Sequence, residues 1–302
     1  MASPHLLSLL SAITIFLTLL SRAHSQDNFT EFTFSKFDST NIKSLIFQGD
    51  AKLSSNYIQL TKTNATNGNP LKNSVGRVIH SSLIHLWNSK QNPPQFSTIE
   101  TTFKIRLTSP TREIAGDGLT FFIAPASITK TPIPNDSDGG YFGLFGNNTL
   151  PTTVDYPDSP NPIIFVEFDN YVDGRWDPTY KHIGINVNTT RSRAAIPWDR
   201  KSGEILTVTI QYNPFNKLLY CSASYGSDYP YEVCSSVELK HMPEYVRVGF
   251  SASTGDSAVE NHDLISWSFS SWLHNVSALT TTAQVNQPLQ APEATHASLF
   301  SA

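Results

Sequence analysis

Cysteine is nearly absent from this chain: Cys221 and Cys234 are the only two among 302 residues. Their separation does not fit the C-x-x-C spacing of a redox centre. Charge is also sparse. Asp, Glu, Lys and Arg make up 15% of the residues, both signs are scattered, and the net charge is -4. That leaves no basic face of the kind nucleic acid demands, so DNA and RNA are set aside as partners. Long apolar runs are missing apart from one, Leu6 to Leu20, and no long helical period appears anywhere.

That single run is short of the ~20 apolar residues a membrane span needs. It is followed by Ala23-His24-Ser25, small residues at the two positions a signal peptidase inspects. Residues 1–25 are therefore read as a cleaved secretory signal peptide, which places the mature chain in the secretory pathway, extracellular or vacuolar, with no transmembrane segment of its own. Six N-x-S/T sequons, at Asn28, Asn64, Asn135, Asn147, Asn188 and Asn275, agree with that route. No linker divides residues 26–275, which are read as one domain. Residues 276–302 lack the periodicity to bury a face and are read as a disordered tail or propeptide.

What is present in abundance is strand pattern. FTEFTFSKF alternates aromatic and polar residues, and similar short runs recur through FSTIETTFKIRL, GLTFFIAP, IIFVEFDNY, HIGINVN, ILTVTIQYN, YVRVGFSAST and LISWSFSSW. Turn-rich stretches such as NGNP, NPP and PNDSDGG separate them. Such spacing predicts an all-β sandwich or barrel. In KLLYCSAS and YEVCSSVEL the two cysteines are placed symmetrically about the YGSDYP turn, with their midpoint between Ser227 and Asp228. A hairpin turning there sets Cys221 opposite Cys234, which predicts a disulfide stabilising the fold by about 3 kcal/mol.

Chemistry concentrates in Ile163–His182, IIFVEFDNYVDGRWDPTYKH. On a strand, Glu167 and Asp169 share one face about 7 Å apart. Carboxylates so close repel unless a cation or proton lies between them. A glycosidase pair and a metal site both fit at first. Asp173 and Asp177 then follow from a loop, with His182 behind them, which is how one segment wraps an ion. Carboxylates with one imidazole suit Mn²⁺ or a similar ion, and an all-oxygen set with a main-chain carbonyl suits Ca²⁺.

Three further stretches accompany this one: AGDGLTFFIAP from Ala115, GGYFGLF from Gly139, and PEYVRVGFSASTG from Pro243. Each is commonplace alone. Together, with WDP, HIGINVN and SWSFSS and in this order, they make the chain from about Phe29 to Trp272 resemble a legume lectin. The resemblance implies a jelly-roll sandwich of a flat back sheet and a curved front sheet. It also implies Glu167, Asp169, Asp177 and His182 as manganese ligands. Asp169, the backbone oxygen of Tyr171, Asp173 and Asp177 match the calcium ligands. Asp117, behind a cis peptide, Gly140 and Tyr171 match the sugar-binding residues, with Asp256 and Ser257 in a variable loop that helps select the sugar. Partners are then glycans or glycoproteins, and assembly is expected as a homodimer or homotetramer through the back sheets.

One position departs from the family pattern, which has asparagine where this chain has Asp173. An amide binds calcium through its oxygen and donates to sugar through its NH₂, whereas an ionised carboxylate only accepts. Leaving a sugar acceptor without its donor costs about 1 to 3 kcal/mol. Altered or impaired sugar recognition is therefore expected, and a lectin-like defence or storage protein without sugar binding is the alternative. Sandwich glucanases share the architecture, but their motif places a second glutamate shortly after E-x-D. Here Asn170, Tyr171 and Val172 follow, so no enzyme is expected.

Overall fold

A computed structural model describes residues 28–111, 115–147, 159 and 161–274. The expected signal peptide (residues 1–25), the expected tail (residues 276–302) and the Asn275 sequon lie outside the described residues. The strands are β1 (Phe29–Phe34), β2 (Leu45–Gly49), β3 (Lys52–Ser54), β4 (Tyr57–Gln59), β5 (Val75–His80) and β6 (Ile84–His85). They continue as β7 (Trp87–Asn88), β8 (Gln95–Thr108), β9 (Gly118–Pro125), β10 (Ile164–Asp169), β11 (His182–Val187) and β12 (Ala194–Pro197). The last are β13 (Ile205–Asn213), β14 (Leu218–Tyr225), β15 (Tyr231–Ser236), β16 (Tyr245–Ser253) and β17 (Asn261–Leu273). Among the described residues no helix is long and apolar enough to cross a membrane.

These strands form two antiparallel sheets. A nine-stranded sheet runs β15-β14-β13-β8-β17-β4-β3, with β1 on β17 and β7 on β8. An eight-stranded sheet runs β12-β11-β10-β9-β16-β5-β2, with β6 on β16. Strict alternation of buried and less buried residues along β8 and β13 shows why the first sheet packs by one face only. Its inward residues, Phe103, Val208, Trp267 and Phe269, meet Phe121, Phe168 and Phe250 of the second sheet in one core. Trp267 and Phe250 touch edge to face at 4.9 Å, as do Phe103 and Phe250 at 4.8 Å.

Strands β9 and β10 are apolar without alternation because both their faces are covered. Phe121 and Phe168 point to the inter-sheet core, while Phe122 and Phe165 lie in a second cluster with Ile79, Tyr141 and Phe145. The 139–145 segment thus caps the outer face of the second sheet and arrives at the end of β10, where the acids gather. The chain order separates these pieces; the sheet order brings them to one end.

The predicted disulfide is not formed. The register of β14 and β15 pairs Tyr220 with Cys234 and Cys221 with Val233, so the hairpin is centred on Ser227 itself. Because side chains alternate faces, this small shift sends the cysteines to opposite sides of the sheet. Cys221 is a buried free thiol and Cys234 an exposed one, and burial pushes the Cys221 thiol well above its ordinary pKa. Among the sequons, Asn64, Asn135 and Asn147 are exposed and Asn28 is half-buried. Asn188 is the exception. Its side chain is buried and its Oδ1 accepts from the Ile163 N–H at 2.6 Å, which leaves a glycan no path to solvent.

Candidate functional site

Strand β10 ends at Asp169 and its neighbour β11 begins at His182. Their register sets Asp169 opposite His182 and Glu167 opposite Gly184. Ligand atoms of Glu167, Asp169 and His182 accordingly lie within 4.8 Å of one another, and all three residues are buried. A Cβ on Gly184 would stand 2.6 Å from Glu167 Oε1, so glycine is what leaves room for this carboxylate. His182 Nε2 lies 2.9 Å from Glu167 Oε1, and the Ser192 hydroxyl donates to the same oxygen.

The loop between these strands folds the remaining acids back. Asp169 Oδ1 accepts from the Tyr171 N–H at 2.8 Å, and Asp177 Oδ2 accepts from the Asp173 N–H at 2.6 Å. The Trp176 and Asp177 N–H groups donate to the Asp173 carbonyl at 3.2 and 3.0 Å, closing a tight turn. Glu167, Asp169 and Asp177 each retain one buried carboxylate oxygen with no hydrogen-bond partner: Oε2, Oδ2 and Oδ1 respectively. Buried oxygens without donors are costly.

The titration behaviour has the same origin. Burial pushes the Asp177 carboxyl up to about 7, reinforced by the charge of Glu167. Burial, together with Asp177 and Glu167, raises Asp169 well above the carboxylate range. Burial disfavours the charged His182 ring, yet the hydrogen bond and charge of Glu167 and the charge of Asp177 outweigh it and raise its pKa. Cations would relieve this crowding of negative charge, and the donor set of carboxylates plus one imidazole fits a divalent ion.

Beside this cluster lies Asp117. Its peptide bond with Gly116 is cis, as the resemblance implied. Its backbone is tied between the ends of β16 and β10 in the second sheet: its N–H donates to Ser253 O at 3.1 Å and its carbonyl accepts from Asn170 N–H at 2.8 Å. The side chain is buried with Oδ2 unpartnered. Burial raises its pKa to about 8, with Glu260, Asp138, Asp173 and Asp177 adding to the effect.

A Cβ on Gly255 would come within 2.7 Å of Asp117 Oδ2, so the variable loop closes on this carboxylate only through a glycine. From the other side, the turn Gly139–Tyr141 is held by Gly139 N–H on Thr254 O at 3.2 Å and by Ser253 Oγ on Gly139 O at 2.5 Å. Gly140 packs on the Trp176 indole, where a Cβ would lie 3.2 Å from Cζ2. Tyr171 contacts Gly116 and is 39% exposed, an aromatic surface open to a ligand's apolar face.

Asp117, Gly140 and Tyr171 are thus brought to one shallow place. Asp256 and Ser257 are exposed at its margin, and Asp256 pairs with Lys72 at 3.3 Å. Asp173 lies nearby but turns its carboxylate to Arg175, at 2.6 Å.

Sequence reasoning missed several participants. Arg175 stands two residues beyond Asp173 across a glycine, a local acid–base spacing that could have flagged the pair. Asn170 had no such signal. Its side chain donates to Glu260 Oε1 at 2.8 Å. Glu260 also pairs with His262 at 3.2 Å and Arg200 at 3.4 Å, and all three side chains are buried. His262 Nδ1 meets the Thr61 hydroxyl at 2.9 Å. Glu260 and His262 stand only two residues apart, but the long separations from them to Asn170, Arg200 and Thr61 hide the rest of that network from any reading of local motifs.

Residues 29–285 match the family model described as the legume lectin domain. Agglutinin-2 of Cladrastis kentukea is 44% identical over 279 residues, covering 90% of this chain and 91% of that protein. An alpha-methyl-mannoside-specific lectin of Arachis hypogaea is 40% identical over 276 residues, covering 90% and 94%. Among solved structures, the metal-free form of lectin I-B4 from Griffonia simplicifolia superposes with a TM-score of 0.71 at 36% identity, covering 80% of this chain and 99% of that one. The family match and the named relatives together define a carbohydrate-binding protein rather than an enzyme. The chain belongs to the legume lectin family.

Proposed function

We propose that the chain is a calcium- and manganese-dependent lectin that binds glycans at the shallow site around Asp117, Gly140, Tyr171 and Asp173. The observation that carries this reading is the set of buried, unpartnered carboxylate oxygens on Glu167, Asp169, Asp177 and Asp117 at one end of the second sheet. Glu167, Asp169, Asp177 and His182 would hold the manganese. Asp169, Asp177, Asp173 and the Tyr171 carbonyl would hold the calcium. Bound cations supply positive charge that neutralises this crowd of acids. Asp117 would accept from sugar hydroxyls, the Gly140 N–H would donate, and Tyr171 would cover the sugar's apolar face.

Secretion with glycans on the exposed sequons, and pairing into dimers or tetramers that present several weak sites at once, complete the reading. The Arachis relative's name makes mannose-class glycans the first to try. A glycan array probed with ions, with a chelator and after ion replacement tests it. Binding that disappears with the chelator and returns with Ca²⁺ and Mn²⁺ is expected. Binding indifferent to the chelator, or none with both ions supplied, overturns it.

A further inference from the structure

Asp173 is held differently from the acids around it. Glu167, Asp169 and Asp177 each keep a buried oxygen without a donor, whereas both oxygens of Asp173 are occupied. Its Oδ1 accepts from the Arg175 backbone N–H at 3.0 Å and from Nε–H at 2.9 Å, and its Oδ2 accepts from Nη2–H at 2.6 Å. This is the side-on fork by which a guanidinium grips a carboxylate.

The guanidinium is itself pinned. Its Cζ lies 4.1 Å from the Trp176 ring centroid, and Nη1 donates to the Tyr141 hydroxyl at 3.2 Å. Burial tends to raise the Asp173 pKa, but the hydrogen bonds and charge of Arg175 outweigh it and hold the carboxyl below its usual range.

A guanidinium and a divalent cation seek the same lone pairs and repel each other. The carboxylate that sequence assigns to the second cation is therefore already committed to a cation built into the chain. Resting on the reading of this end as a two-ion site, we propose that Arg175 is an intramolecular competitor for the oxygen-liganded second cation at Asp173. The first ion, at Glu167, Asp169, Asp177 and His182, does not involve this carboxylate and is left unaffected. Arg175 thereby tunes how much Ca²⁺ the chain needs before its sugar site is complete.

Calorimetry on the full chain tests this: the protein is stripped of ions, saturated with Mn²⁺ and titrated with Ca²⁺. The Arg175→Met variant keeps an unbranched stem over Trp176 and loses the charge. Its Ca²⁺ dissociation constant should fall about fivefold or more, the equivalent of a well-formed exposed ion pair, with the Mn²⁺ constant unchanged. In an Asp173→Asn background the oxygen remains but the forked ion pair does not. There, Arg175→Met should alter Ca²⁺ affinity by less than about twofold.

An unchanged Ca²⁺ constant in Arg175→Met would mean that one carboxylate serves both cations. An equal gain in both backgrounds would mean plain repulsion, and a changed Mn²⁺ constant would mean that the arginine acts on the whole cluster. Each of these overturns the proposal while leaving the two-ion reading intact. No Ca²⁺ binding by any variant overturns the two-ion reading, and the competitor with it.

Discussion

Two clusters of buried charge meet at Asn170, and they differ in whether the protein neutralises them itself. On one side Glu260 is flanked by Arg200, His262 and the Asn170 amide. Burial alone would raise its pKa, yet these partners hold it below the ordinary glutamate value. On the other side Glu167, Asp169, Asp177 and Asp117 face one imidazole and include three carboxyls pushed upward. Burial is comparable in both. What differs is the supply of positive charge, internal in the first and lacking in the second. A self-neutralised cluster cross-braces the loops around Asn170, whereas an acid-rich one has the charge to receive the cations proposed above.

The largest effect should come from breaking the self-neutralised side. Glu260→Ala leaves Arg200 buried without its counter-charge and should cost about 3 to 5 kcal/mol in denaturant unfolding. Added Ca²⁺ and Mn²⁺ should not restore the lost stability difference; full rescue would show that the two clusters are one unit.

Next comes ion addition to the stripped protein. Ions at about 100 times their dissociation constants should stabilise by roughly 2.7 kcal/mol per site, seen as a rise in melting temperature. Asp169→Asn should blunt that rise. A melting curve indifferent to either ion would erase the distinction between the clusters.

The smallest effect is in pH. Asp117 at about 8 and Asp177 at about 7 lie above their unfolded value of 3.8, so the ion-free fold binds the extra protons. These groups should stabilise the stripped protein at low pH, with that contribution lost as pH rises from about 4 to about 8. Saturating ions should reverse the trend, since acid then competes with the metal for the same oxygens. Melting temperatures across that range, with and without ions, show whether the slopes oppose; parallel slopes would contradict the assignment.

Much of this was legible in the sequence. Alternation in FSTIETTFKIRL anticipates β8, and the unbroken apolar runs around Phe121 and Phe165 anticipate strands covered on both faces. The acids of Ile163–His182 announce a charged strand end, because period two sets Glu167 and Asp169 on one face. The cysteine hairpin shows the limit: a turn centre misplaced by half a residue is invisible in composition, yet it converts a predicted crosslink into two thiols on opposite faces. Asn188 fails similarly, since a sequon carries no information about burial.

Local periodicity and the order of motifs thus determined the all-β class, the family and the strand that carries the acids, because these depend on side chains near one another in sequence. Tertiary structure alone decided which charges are answered and which are not. It set His182 against Asp169 through strand register, closed Gly255 onto Asp117, and brought Arg200 and Asn170 to Glu260 from distant parts of the chain. It also turned Asp173 toward Arg175. Electrostatic energy depends on distance in space and on burial, and neither is written in the order of the chain.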